Sequence, residues 1–175
     1  YFKQTVHSTN PYSTINYSQV MAVLINFIKP IALITILLGT YLALKSNRVK
    51  EIVVYSTTSQ SGYIFLILVI PNGEILLFLF LFADSLNKVA LFLILSYAEL
   101  HDSKRRNSLL WYCLVVFSLI CSCGIPLSSM FMIKINLFEL LVVNTMWLEL
   151  AVVVISSCGA LLYHYKIAQI LLFKQ

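Results

Sequence analysis

Long apolar runs separated by short polar stretches organise this chain. The first run extends from about Val20 to Leu44 and ends at the basic stretch Lys45-Ser-Asn-Arg48-Val-Lys50. The second, about Ile52 to Ile70, stops at Pro71-Asn72-Gly73, a strong turn signal. The third, about Ile75 to Ala98, carries Asp84 and Lys88 in its middle and gives way to His101-Asp-Ser-Lys104-Arg105-Arg106. The fourth, about Leu109 to Val143, is too long for one ordinary crossing and is interrupted by Cys123-Gly124-Ile125-Pro126-Leu127-Ser128-Ser129. The fifth runs from about Trp147 to Phe173. A helix needs about 20 apolar residues, rising ~1.5 Å each, to cross a ~30 Å hydrocarbon layer. The pattern therefore predicts an all-α membrane protein: a polar segment over 1–19, then a bundle of five transmembrane helices over 20–173 with the fourth helix broken. Broken helices persist in a bilayer only where the freed backbone is buried in protein or faces water. Pro30, in the first half of the first run, favours a helix start or a kink there.

Composition agrees. Of 175 residues, 60% are hydrophobic and 11% charged, and the mean hydropathy is +0.90. Soluble domains are near half apolar and a quarter charged, so a water-soluble fold is excluded. The formal charge of +5 raises nucleic acid as a partner, but the basic residues form short clusters between apolar runs and no aromatic-interleaved basic face, which argues against it. Their positions carry topology instead. Lys and Arg cluster at 45–50, at 104–106 and at 166 and 174, after the first, third and fifth runs, and are missing from the connections after the second and fourth. Basic loops on alternate crossings satisfy the positive-inside rule and place those clusters together on the matrix or cytoplasmic side. The polar opening stretch is not that of a cleavable signal peptide.

A charge at the bilayer centre costs about 2.5–3.5 kcal/mol on insertion scales, so each one calls for a reason. Asp84 and Lys88 stand four apart, on one helix face, with the acid on the amino-terminal side. They form either a self-neutralising structural ion pair or two stations of a proton relay. Lys134 has no opposite charge within one turn, Glu139 being five residues on. It either snorkels to the interface or, kept from water beside the break, exchanges a proton, because desolvation disfavours a lysine's charged form. His164 and Lys166, near the end of the fifth run, read as interface anchors, and Lys29 as structural. Cys113, Cys121, Cys123 and Cys158 lie in apolar runs without metal-ligand spacing and read as buried free thiols. No phosphate loop, dinucleotide fingerprint, iron–sulfur spacing or nucleophile triad occurs, so no cofactor and no redox chemistry are expected of this chain itself.

The stretch Arg48-Val-Lys50-Glu-Ile-Val-Val-Tyr55-Ser56-Thr57-Thr58-Ser59-Gln60-Ser61-Gly62-Tyr63 resembles the K-x-x-x-A-Y-S-S-x-x-H-x-G-Y segment of the antiporter-like subunits of respiratory NADH dehydrogenase. Gly124-Ile125-Pro126-Leu127-Ser128-Ser129-Met130-Phe131-Met132-Ile133-Lys134 resembles their G-I-P-P-x-x-G-F-x-x-K broken helix. Ser156-Ser157-Cys158-Gly159-Ala160-Leu161-Leu162-Tyr163-His164-Tyr165 is similar to the S-x-x-S-A-x-Y-Y of their next helix. Members are built from two inverted five-helix repeats, each with a broken fourth helix, and the five runs here resemble the second repeat alone. The resemblance implies a proton-translocating subunit in the membrane arm of complex I, in the mitochondrial inner membrane, with Lys134, Lys88 and Asp84 as the proton relay. It implies as partners the other membrane-arm subunits, a separate chain carrying the first repeat, and membrane lipids. Gln60 stands where the family has histidine, so that position cannot titrate. Leu127 and Met130 replace the second proline and the glycine of the break. A cation/proton antiporter subunit and a purely structural membrane scaffold are the competing readings.

Overall fold

The computed structural model describes residues 17–100, 109–126 and 128–172. Six helices occupy them: α1 Tyr17–Lys45, α2 Val49–Val69, α3 Glu74–Leu100, α4 Leu109–Cys123, α5 Ser129–Val143 and α6 Trp147–Leu172. The expected polar segment up to residue 16, the basic connection 101–108, Leu127 and Phe173 lie outside the described residues.

Four helices, α1, α2, α3 and α6, are long and apolar enough to cross a membrane. At 29 residues, α1 is about 43 Å long, and Pro30 sits inside it rather than starting it. Proline removes one intrahelical N–H bond without ending the helix here. By contrast α4 and α5 hold 15 residues each, about 22 Å apiece, short of the hydrocarbon thickness. The interruption predicted at 123–129 is where α4 stops and α5 starts.

The turns follow from local chemistry. After α2, Ile70 and Gly73 each close a tight bond, Ile70 N donating to Ile67 O at 3.2 Å and Gly73 N to Ile70 O at 3.1 Å. Asn72 takes a positive φ of 61° there, a conformation that asparagine tolerates better than most residues. Between α5 and α6, Asn144 and Thr145 make a similar reversal, with Met146 N donating to Leu141 O at 2.9 Å. Glu74 and Glu149 fall in the first turns of α3 and α6, and Lys45 in the last turn of α1. Each charge complements its helix dipole.

Two apolar clusters stack along the bundle. The first gathers Ala32 and Ile36 of α1, Tyr63, Leu66 and Ile67 of α2, Leu76 and Phe80 of α3, Met130, Leu137 and Leu141 of α5, and Val153 of α6. The second gathers Ala43, Ile52, Val53, Leu91, Leu95, Trp111, Val115, Tyr163 and Ile167. Read along each helix, the first lies toward the α2–α3 and α5–α6 turns and the second toward the α1–α2 and α3–α4 connections. Between them along α1, α2, α3 and α6 falls a belt of buried polar side chains, Thr40, Ser59, Asp84 and Ser156, with Ser122 buried at the carboxy end of α4. Outward, the bundle presents Phe27, Ile31, Phe78, Phe82, Leu93 and Ile155. An apolar exterior over a polar waist reverses the arrangement of a water-soluble bundle.

On one side the belt is sewn shut by small residues. Thr40 Oγ1 lies 2.7 Å from Ser156 Oγ and 3.0 Å from Ser59 Oγ, linking α1 to α6 and α2. A methyl group on Gly39 would stand 2.7 Å from the Ser59 Cα, and one on Gly62 2.9 Å from the Ala32 carbonyl oxygen. Close backbone approach through small residues is how helices associate where lipid removes the hydrophobic drive.

Candidate functional site

The other side of the belt holds the break. α4 ends at Cys123, and Gly124 follows with φ +77°, a left-handed turn that a side chain would strain. Pro126 lacks the N–H that a continuing helix needs. Ser128 then restarts the chain as an N-cap, its hydroxyl accepting from Phe131 N at 3.2 Å. The last carbonyls of α4 are freed by this geometry. Asn87 of α3 reaches one of them, its Nδ2 donating to Cys121 O at 3.4 Å.

Lys134 points back into this gap. Its Nζ lies 3.4 Å from where a Gly124 Cβ would be. The carboxy end of α4 therefore offers its partial negative charge to the ammonium. Among the described residues no carboxylate pairs with Lys134; Glu139 is exposed on α5. Beside it is a cavity of about 20 Å³ lined by Ser59, Gln60, Tyr63, Ser122, Ser156 and Tyr163 among others. That is room for about one water molecule, and every one of those side chains can hydrogen-bond. Gln60 Oε1 is buried with no hydrogen-bond partner. A larger space of about 660 Å³ lies between α3 and α4 but is an almost wholly apolar groove away from Lys134.

Asp84 and Lys88 meet in an ion pair and hydrogen bond. The second carboxylate oxygen of Asp84 is buried without a partner. Neither Asp84 nor Lys88 lines the Lys134 cavity.

Several sequence expectations change. His164 is no interface anchor: it is 5% exposed, with Nδ1 2.7 Å from Ala160 O. The reason is position on the helix, since His164 shares the inward face of α6 with Ala160 and Ile167. Lys166 is part-buried and ties α6 to α1, its Nζ donating to Leu44 O at 3.0 Å at the end of α1. Lys29 does take a structural partner, Glu149 at 3.9 Å. Of the four cysteines, all free, Cys123 is buried while Cys113 and Cys158 are exposed; apolar sequence surroundings do not bury a residue on a bundle's outer face. The hydroxyl cluster of Thr40, Ser59 and Ser156 escaped the sequence reading. Its trace was there in the three-residue spacing Ser56, Ser59, Gly62 and again Ser156, Gly159, small residues recurring on one face of an apolar helix.

Residues 11–160 match the family model "NADH:quinone oxidoreductase/Mrp antiporter, TM". The chain belongs to this family. It is accordingly a multi-pass membrane protein. The chain is also 30% identical over 120 residues to "NADH-quinone oxidoreductase subunit N 2" of Thermodesulfovibrio yellowstonii, an alignment covering 62% of this chain and 26% of that protein. It thus spans about a quarter of the length of the curated relative it matches. No solved structure matches it.

Proposed function

We propose that this chain is a proton-translocating subunit of the membrane arm of respiratory NADH:ubiquinone oxidoreductase, corresponding to the second five-helix repeat of its antiporter-like fold. In this reading α4 and α5 cross the membrane together as one broken span, which gives five crossings. The run Lys134-Ile-Asn-Leu-Phe138 looks most like subunit 2 of the complex, with subunit 5 second. The first repeat is then supplied by a separate chain packed against this one, alongside the other membrane-arm subunits. A tyrosine-, phenylalanine- and isoleucine-rich composition supports the mitochondrial inner membrane as its location. The relative's printed name, a subunit of an NADH-quinone oxidoreductase, favours the respiratory complex over a cation/proton antiporter of the same family.

One observation carries the mechanism: Lys134 is turned inward at the broken helix, without a carboxylate partner, against a small polar cavity. A cation there is costly to keep, and one water in the cavity would bring a proton within reach. Lys134 is the main proton station, and the Asp84–Lys88 pair is its neighbour on α3. When Lys134 is charged, its field holds the pair tighter or looser than when it is neutral, which couples the two. The ion pair also suits a scaffold whose buried charges merely cancel, so the test must separate them. Lys134→Met in the assembled complex should preserve assembly, because removing an unpaired intramembrane charge relieves its desolvation cost. Proton translocation should fall while NADH oxidation is less affected. Lys134→Arg should also impair pumping, since guanidinium stays protonated. Parental pumping by Lys134→Met would reduce Lys134 to an anchor and leave the scaffold reading.

A further inference from the structure

The relay proposed above leaves one buried titratable side chain unused. His164 sits buried on α6 one turn beyond Ala160, beside Ala160, Tyr163 and Ile167 of the second apolar cluster rather than in the polar belt. Burying an imidazole costs free energy unless its nitrogens find partners. Nδ1 lies 2.7 Å from Ala160 O, and a carbonyl oxygen only accepts. Nδ1 therefore holds the proton of the neutral ring, and Nε2 is the acceptor, open to a second proton. Among the described residues nothing hydrogen-bonds to Nε2. The Tyr163 ring is tilted against the imidazole with centroids 4.6 Å apart. Tyr163 in turn lines the cavity that holds Lys134.

We infer that His164 is a further proton station of this chain, taking on Nε2 the proton that Lys134 releases and carrying it toward the carboxy-terminal end of α6. The inference rests on the proposed function. Its balance is simple. Lys134 goes from ammonium to amine as His164 goes from imidazole to imidazolium, and Nδ1 keeps its bond to Ala160 throughout. One positive charge is shared between two sites, because two cations on packed helices would repel in a medium poor in water. Tyr163 and water in the cavity bridge the step, and the phenolic hydroxyl both donates and accepts. His164 lies beyond the belt on the side of the Lys166 end of α6, so it extends the path along a helix that carries neither Asp84 nor Lys88.

The bland alternative is a histidine kept to satisfy the Ala160 carbonyl. Asparagine can do that alone: Asn144 Nδ2 donates to Leu140 O at 2.8 Å, four residues back, in this same chain. His164→Asn in the assembled complex should therefore assemble like the parent, keep NADH oxidation and lose proton translocation. Infrared difference spectra of the parent, with histidine isotopically labelled, should show an imidazolium band that His164→Asn removes and Lys134→Met alters. Parental pumping by His164→Asn overturns the inference. So does a parent spectrum with no imidazolium band at all, which decides the matter even if His164→Asn fails to assemble. Should Lys134→Met pump normally, the proposed function itself falls; should Lys134→Met be impaired and His164→Asn normal, only His164 is removed from the path.

Discussion

The two sides of the polar belt treat their polar groups in opposite ways. Where α1, α2 and α6 meet, Thr40, Ser59 and Ser156 bond to one another, and Tyr63 donates to the Val153 carbonyl at 3.3 Å. Glycines let the backbones touch there. Where α3, α4 and α5 meet, the helix is broken and Asp84 Oδ1 is left without a partner; Lys134 there faces a cavity that α2 and α6 close from the seam side, where Gln60 Oε1 of α2 is unpartnered too. The first arrangement fixes the helices in one register. The second leaves unspent hydrogen-bonding capacity at membrane depth, which native structures keep where a proton, water or ion is handled. The difference teaches that the seam spends its polar groups on joining helices, while the break keeps the groups on which the proposed proton path rests.

Disturbing the seam should cost the protein itself. Gly39→Ala puts a methyl 2.7 Å from the Ser59 Cα, too near for any relaxation short of separating α1 from α2. The largest expected effect is therefore loss of accumulated, assembled chain, visible on native gels of solubilised membranes. Normal accumulation would show that the seam is not the organising contact.

A second prediction sharpens the role of the ion pair. Asp84→Asn strands Lys88 in a part-buried place, and breaking a pair from one side costs about 3–5 kcal/mol when it is fully buried, less here. Reduced accumulation is expected, with recovery in the double variant Asp84→Asn/Lys88→Met. Proton translocation should stay low in the double variant if the pair is part of the relay. Full recovery of pumping would make it structural only.

The smallest effect belongs to the hydroxyls. Thr40→Val removes the bonds to Ser59 and Ser156 but fills the same volume. Interhelical hydrogen bonds in membranes are worth about 0.6 kcal/mol each on average, so the loss should be about 1 kcal/mol. That is measurable as a small shift in a detergent-denaturation midpoint, with pumping untouched. A fall in pumping without a stability change would move Thr40 from the seam to the site.

How much of this was legible beforehand depended on which property a residue obeys. The four long helices, the turn at Pro71-Asn72-Gly73 and the break at Gly124-Pro126 were determined by the sequence itself. Hydrophobic run length, missing N–H groups and positive φ are local properties, and lipid demands them in a form that can be counted. The ion pair of Asp84 and Lys88 was readable for the same reason, as one turn of helix decides it. Which way a side chain points across the bundle was not readable. Each helix is apolar nearly all round, so periodicity does not separate a face toward lipid from a face toward protein. For that reason His164 was expected at the interface and is buried, and Cys113 and Cys158 were expected buried and are exposed. Only tertiary packing brought Thr40 to Ser156 across 116 positions and set Lys134, Gln60 and Tyr163 around one cavity. Those meetings depend on how five neighbours pack at once, a relation that no single run of residues contains.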